Sequence, residues 1–161
     1  MAKITTDPRV GVGVIVFKDG KVLMGLRTGS HAANVWAFPG GSVDPGETPV
    51  ATAVRELFEE TGLRARAIRT LPYWSNDLFP EDNKHFITLY FLIEAEGGDP
   101  VIVEPHKCLE WRYCPIDNLP TPYFTGIDGL LATLDLKQEM TKFEHDHALL
   151  DPEIGQGETC E

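Results

Sequence analysis

Apolar residues along this chain follow two rhythms, one suited to strands and one to helices. Residues 10–17, VGVGVIVF, form a β-branched run that favours a strand. Lys18-Asp19-Gly20-Lys21 follows as a hairpin turn signal, and 22–27 returns as the partner strand. Residues 86–94, FITLYFLIE, predict a second strong strand, 109–114 a short one, and 63–71 another that ends at Pro72. The segment 73–84 mixes aromatics, a proline and acids, and reads as a loop. Further loops or turns are predicted at 28–34, at Gly97-Gly98-Asp99-Pro100 and at 115–119.

The helical rhythm occurs twice. Residues 48–61 predict a helix, with Glu47 and Thr48 suited to its unpaired N–H groups, Pro49 in the first turn and Gly62 as a left-handed cap. At about 100° per residue, Ala51, Val54, Leu57 and Phe58 share one arc, expected to face the core. Residues 126–140 carry Leu130, Leu131, Leu134 and Leu136 and predict one C-terminal helix. Strands and two helices in this order fit a mixed sheet held between helices, an α/β architecture.

The polar face of the first helix carries the chemistry. Glu56, Glu59 and Glu60 stand at i, i+3 and i+4, so three carboxylates crowd one surface. Arg55 is the one cation beside them. A hard, oxygen-seeking cation relieves such repulsion. Just upstream, Gly40 and Gly41 remove two side chains, which lets backbone approach a metal or phosphate closely.

From Gly41 to Leu63 these features fall into one spacing: Gly41, five residues, Glu47, seven residues, then Arg55-Glu56-Leu57-Phe58-Glu59-Glu60-Thr61-Gly62-Leu63. This resembles the Nudix box, G-x5-E-x7-R-E-U-x-E-E-x-G-U with U apolar, and every defined position is filled. The resemblance implies a Nudix α/β/α sandwich with a mixed sheet and a loop-helix-loop catalytic box. It also implies a hydrolase that uses Mg2+, or Mn2+, for attack of water on phosphorus in a phosphate anhydride. Glu56, Glu59 and Glu60 are then metal ligands together with the Gly40 carbonyl, and Arg55 and Glu47 orient the carboxylates. The acid that deprotonates water is left open among the box glutamates and Glu94, Glu96, Glu104 and Glu110.

Outside the box the resemblance leans toward MutT-like nucleoside triphosphate diphosphatases. It rests on the 10–14 glycine-valine run, Arg27-Thr28-Gly29-Ser30, Asn76 with 85–88, and 104–108 followed by Glu110-Trp111. The implied reaction converts a nucleoside triphosphate to the monophosphate and pyrophosphate. Candidate substrate-binding residues are Arg27, Phe38, Gly40, Gly41, His85, Thr88 and Lys107, with Trp74, Phe79, Phe86 and Trp111 as stacking surfaces. Phe79-Pro80 stands where ADP-ribose hydrolases carry a proline, so ADP-ribose or another nucleoside diphosphate derivative is the alternative. A non-catalytic binding module on the same fold is a second alternative, and such modules lose box carboxylates.

Composition narrows the picture further. A chain of 161 residues suits one domain, taken here as 1–143, followed by an acidic tail at 144–161. With 14 basic and 25 acidic residues the net charge is −11, which disfavours a nucleic acid polymer as partner. No apolar run suits a membrane helix, and 1–7 shows no signal core. Cys108, Cys114 and Cys160 lack metal-ligand spacing and read as reduced thiols, consistent with a cytoplasmic protein. None of the five histidines, His31, His85, His106, His145 and His147, forms a metal-binding pattern. A small-molecule nucleotide is the expected partner, and a homodimer is the family-level expectation.

Overall fold

The computed structural model describes residues 2–29 and 33–146. Strands β1 (Arg9–Lys18) and β2 (Lys21–Arg27) form the hairpin read from the sequence, with Asp19 and Gly20 at its tip in the left-handed region. Two short strands, β3 (Trp36–Ala37) and β4 (Gly40–Ser42), lead to helix α1 (Pro49–Thr61). Then come β5 (Ala65–Phe79), β6 (Lys84–Ala95), β7 (Cys108–Pro115), α2 (Gly126–Thr133) and α3 (Leu136–Asp146).

The sheet is mixed. Its main order is β3-β2-β1-β6-β5, with β4 joined to β1 and β7 to β2. β1 runs parallel to β6 from the Arg9–Phe86 pair to Val16–Ile93, and the other pairings are antiparallel. Alternation along β1 builds two cores. Val12, Val14 and Val16 pack with Ala53 and Leu57 of α1. Ile15 and Phe17 face the other way, onto Ile127 and Leu130 of α2 and Met140 and Phe143 of α3. Helices on both faces of one mixed sheet give the expected α/β/α sandwich.

Four expectations change. Residues 73–84 are not a loop: β5 passes through Pro72 to Phe79 and leaves only a single turn at Pro80–Asp82. β5 pairs with β6 alone, and its ladder is irregular between Thr70 and Trp74, so the missing proline N–H falls where no ladder bond is formed. The C-terminal helix is two helices. The chain is extended at Leu134, and the Asp135 carboxylate then caps α3 by accepting from the Gln138 N–H at 3.1 Å. α3 continues to Asp146, past the boundary expected at 143, and the remaining tail with His147 and Cys160 lies outside the described residues.

The fourth change concerns the phase of α1. Thr52, Ala53, Leu57 and Thr61 are buried, while Phe58 is 45% exposed beneath the Arg64 guanidinium. Hydrophobicity alone cannot find this face, because its threonines satisfy their hydroxyls locally. Thr61 donates to the Leu57 carbonyl at 2.6 Å, and Thr52 donates to Glu47 and to the Thr48 carbonyl. The caps of α1 match the sequence: Thr48 accepts from the Ala51 N–H, Pro49 opens the helix, and Gly62 closes it at φ 74°.

Candidate active site

The site grows from a gap in the sheet. On one side, β1 pairs with β4 over Gly11–Gly13 and with β2 only at Phe17 and Lys18. Glu56 and Glu60 of α1 reach this gap. A Cβ on Gly41 would lie 2.2–2.7 Å from the Glu56 carboxyl atoms, so glycine is what admits that carboxylate. A Cβ on Gly40 would strike the Val12 carbonyl oxygen at 2.1 Å, and the Gly40 N–H donates to Glu60 Oε2 at 3.2 Å.

Arg55 ties the box together. Its Nε and Nη2 bind the two oxygens of Glu47 at 2.7 and 2.9 Å, and Nη1 reaches Glu56 and Glu59, each at 3.0 Å. Nη2 also donates to the Ser42 carbonyl at 3.2 Å. The Arg55 bonds hold the Glu47 carboxyl down at about 2, and Glu47 in turn raises the Arg55 guanidinium. Neither Arg55 nor Glu47 lines the cavity, so their place is behind the carboxylates. Glu59 is also outside it: the side chain is 51% exposed and engaged with Arg55.

The carboxylates that do enter are short of positive charge. Burial raises the Glu56 carboxyl, against Arg55, with Glu59 and Glu104 adding to the rise. Burial pushes Glu60 up to about 8, opposed by the Gly40 N–H and Arg27 and assisted by Glu56 and Glu104. Of the four later acids left open by the sequence, Glu104 alone lines this cavity. Glu94 pairs with Arg66 and Glu110 with Arg112.

Three part-buried carboxylates and a nearby glycine backbone form a hard-oxygen donor set with too little cation, which suits a divalent ion. Among the described residues, no three His, Cys, Asp or Glu side chains close around a cation by themselves. Such a site completes its shell with water and substrate oxygens.

From the gap the cavity extends to about 550 Å³, within the range of small-molecule sites. Of the residues that the sequence offers as substrate-binding candidates, Arg27, Phe38, Gly40, Gly41, Thr88 and Lys107 line it. Arg27 stacks over Phe124 at 5.8 Å, and its Nε is buried without an acceptor. Lys107 binds Glu104 at 2.8 Å. Phe79, Phe86 and Trp111 are in the wall, and the indole N–H of Trp111 is buried without a partner. Trp74 is 59% exposed and does not line the cavity. His85 is not brought to it either: its position on β6 alternates with Phe86 and Thr88, and its Nε2 meets Asn76 at 2.6 Å.

The cavity also contains residues that the sequence did not single out. Asp77, Tyr90 and Phe124 line it, with Ser75 directly behind. The signal was present as the period-two set Ser75, Asp77, Phe79, but it becomes visible only once this stretch is a strand.

The NUDIX domain model matches residues 7–134, well over half of the chain. The chain belongs to the Nudix family and carries its box complete. It is 34% identical over 119 residues to the ADP-ribose pyrophosphatase of Methanocaldococcus jannaschii, covering 73% of this chain and 68% of that one. It is 42% identical over 86 residues to the RNA pyrophosphohydrolase of Bartonella bacilliformis, where the match spans 48% of this chain and about half, 51%, of the relative. Among solved structures, the MutT NUDIX hydrolase of Burkholderia pseudomallei superposes with a TM-score of 0.75 at 28% identity, over 81% of this chain and 100% of that one.

Proposed function

We propose that this protein is a divalent-metal-dependent pyrophosphohydrolase that converts a nucleoside triphosphate to the nucleoside monophosphate and pyrophosphate. The observation that carries the reading is the convergence of Glu56, Glu60 and Glu104 with Arg27 and Lys107 in one cavity. Acids to hold a cation and bases to hold phosphate are what an anhydride substrate requires.

Glu56 and Glu60, with the Gly40 backbone, would hold Mg2+ or Mn2+, and Glu104 completes the acidic set. A bound divalent ion supplies charge neutralisation and a more acidic water. The protein's own residues do the rest. Arg27 and Lys107 bind phosphate oxygens and fix their orientation. Glu104, the one acid outside the box among Glu94, Glu96, Glu104 and Glu110 to line the cavity, is the candidate to take the proton as water attacks phosphorus. A new P–O bond forms as the bridging P–O bond breaks, and pyrophosphate leaves. Arg55 and Glu47 keep Glu56 in position and do not touch substrate.

A second reading is hydrolysis of ADP-ribose or a related diphosphate, favoured by the name of the Methanocaldococcus relative. The intact box argues for catalysis over a binding-only module. The test is product analysis with Mg2+ or Mn2+ over nucleoside triphosphates, ADP-ribose, nucleotide sugars and 5′-triphosphorylated RNA. Pyrophosphate and a monophosphate from a free triphosphate support the first reading. AMP and ribose 5-phosphate from ADP-ribose alone replace it with the second.

A further inference from the structure

The far end of the cavity is built from one face of three neighbouring strands. Position by position, Gly11 and Gly13 on β1 pair with Thr88 and Tyr90 on β6, and Ser75 and Asp77 on β5 pair with Thr88 and Phe86. β4, with Gly40 and Gly41, and β5, with Asp77, stand three strand spacings apart, about 14 Å. Asp77 therefore lies well away from the acidic gap, although the same cavity reaches both.

Asp77 is only 3% exposed. Its Oδ2 accepts from Thr88 Oγ1 at 2.6 Å and from Ser75 Oγ at 2.9 Å. Ser75 Oγ also meets the Tyr90 hydroxyl at 2.9 Å. A serine has one proton, already given to Asp77, so Tyr90 is the donor in that contact. All three hydroxyl protons are thus directed along the chain toward Asp77. No donor among the described residues reaches Asp77 Oδ1. This wall has only acceptors left to offer, and Asp77 lines the cavity.

Three aromatic rings border the same spot. Phe79, Phe86 and Phe124 line the cavity, with Phe79 5.5 Å from Phe124 and 6.5 Å from Phe86. An aromatic slot with a fixed acceptor suits a flat ring that carries N–H donors on its edge. Asp77 repels a phosphate from this wall, while Arg27 over Phe124 and Arg9 over Phe86 flank the rings at 5.8 and 5.9 Å.

We infer that Asp77 reads the exocyclic amino group of the substrate's base, so that the enzyme prefers amino-bearing bases, adenine or cytosine, over their carbonyl counterparts. The inference rests on the nucleotide reading of the site. It makes Asp77 the specificity determinant, with Thr88, Ser75 and Tyr90 fixing its orientation and hydrogen-bond polarity.

The test compares ATP with ITP and CTP with UTP, pairs in which the amino group is exchanged for a carbonyl. Wild-type kcat/KM is expected to favour the amino member of at least one pair by about tenfold or more. In Asp77→Asn, the amide oxygen takes the two hydroxyl donors and turns the NH2 group to the cavity, so the preference is expected to reverse or vanish. Calorimetric Kd values for AMP against IMP and CMP against UMP provide a readout that needs no turnover. Equal wild-type values within both pairs, in turnover and in binding, overturn the inference without any variant. Retention of the amino preference by folded Asp77→Asn also overturns it. Cleavage of triphosphates without pair discrimination removes Asp77 and keeps the hydrolase. A monophosphate preference that reverses in Asp77→Asn, with no triphosphate cleaved, keeps Asp77 and removes the hydrolase.

Discussion

The Glu56 carboxylate occupies the space that a side chain on Gly41 would fill: a Cβ there would lie 2.2 Å from Glu56 Oε1. Gly41→Ala is therefore expected to fold, because the obstructing atoms end a flexible side chain, but to displace Glu56. A displacement of this size is expected to lower kcat by roughly a hundredfold. Gly40→Ala meets backbone, the Val12 carbonyl at 2.1 Å, and is expected to lower Tm as well. Thermal melts and steady-state kinetics on the two variants distinguish these outcomes.

Glu60→Gln and Glu104→Gln are expected to reduce metal-dependent turnover by about a hundredfold or more, while circular dichroism stays native. Glu110→Gln is the control, because Glu110 pairs with Arg112 and does not line the cavity. Full activity in Glu104→Gln would eliminate it as proton acceptor.

Removal of positive charge should act on binding first. Arg27→Met and Lys107→Met are each expected to raise KM for a triphosphate about tenfold or more, with a smaller effect on kcat. Inhibition by pyrophosphate measures the same contacts without turnover. His85→Ala is expected to leave all of these constants within twofold, since its imidazole meets Asn76 outside the cavity.

Glu47 links the box to acid stability. Its carboxyl sits at about 2 in the folded protein against an ordinary 4.5. The stabilisation is thus fully present above about pH 4.5 and is lost as pH falls toward 2. Glu47→Gln is expected to cost about 2 kcal/mol at pH 7 and to flatten the acid limb of the stability curve. Urea unfolding at pH 3, 5 and 7 tests this. Equal slopes of stability with pH in both proteins would show that Arg55 does not select the ionised form.

The box was legible because its chemistry is local. Caps at Thr48 and Gly62, the glutamate face and Arg55 all belong to one helix and its flanks, so spacing alone assembles them. The distal wall was not legible, since it depends on pairing between β5 and β6 and on a strand that tolerates Pro72 at a ladder irregularity. Asp77 looked like one acid in a polar loop until Ser75 and Thr88 were brought beside it. His85 and Trp74 show the reverse: both suit a binding site by type, but strand alternation or edge position turns them away from it. Phe58 shows how a helix face can be misphased when buried threonines satisfy themselves.

Two rings of the cavity wall are seated on glycines. A Cβ at Gly13 would lie 2.7 Å from the Tyr90 ring, and one at Gly25 would lie 2.4 Å from the Trp111 ring. Each aromatic rests directly on the peptide plane of a neighbouring strand, one carbon deeper than it otherwise could. The depth of the chamber is consequently a property of the sheet's backbone. Changes in the surrounding loops can reshape its entrance, but its floor moves only if a strand moves.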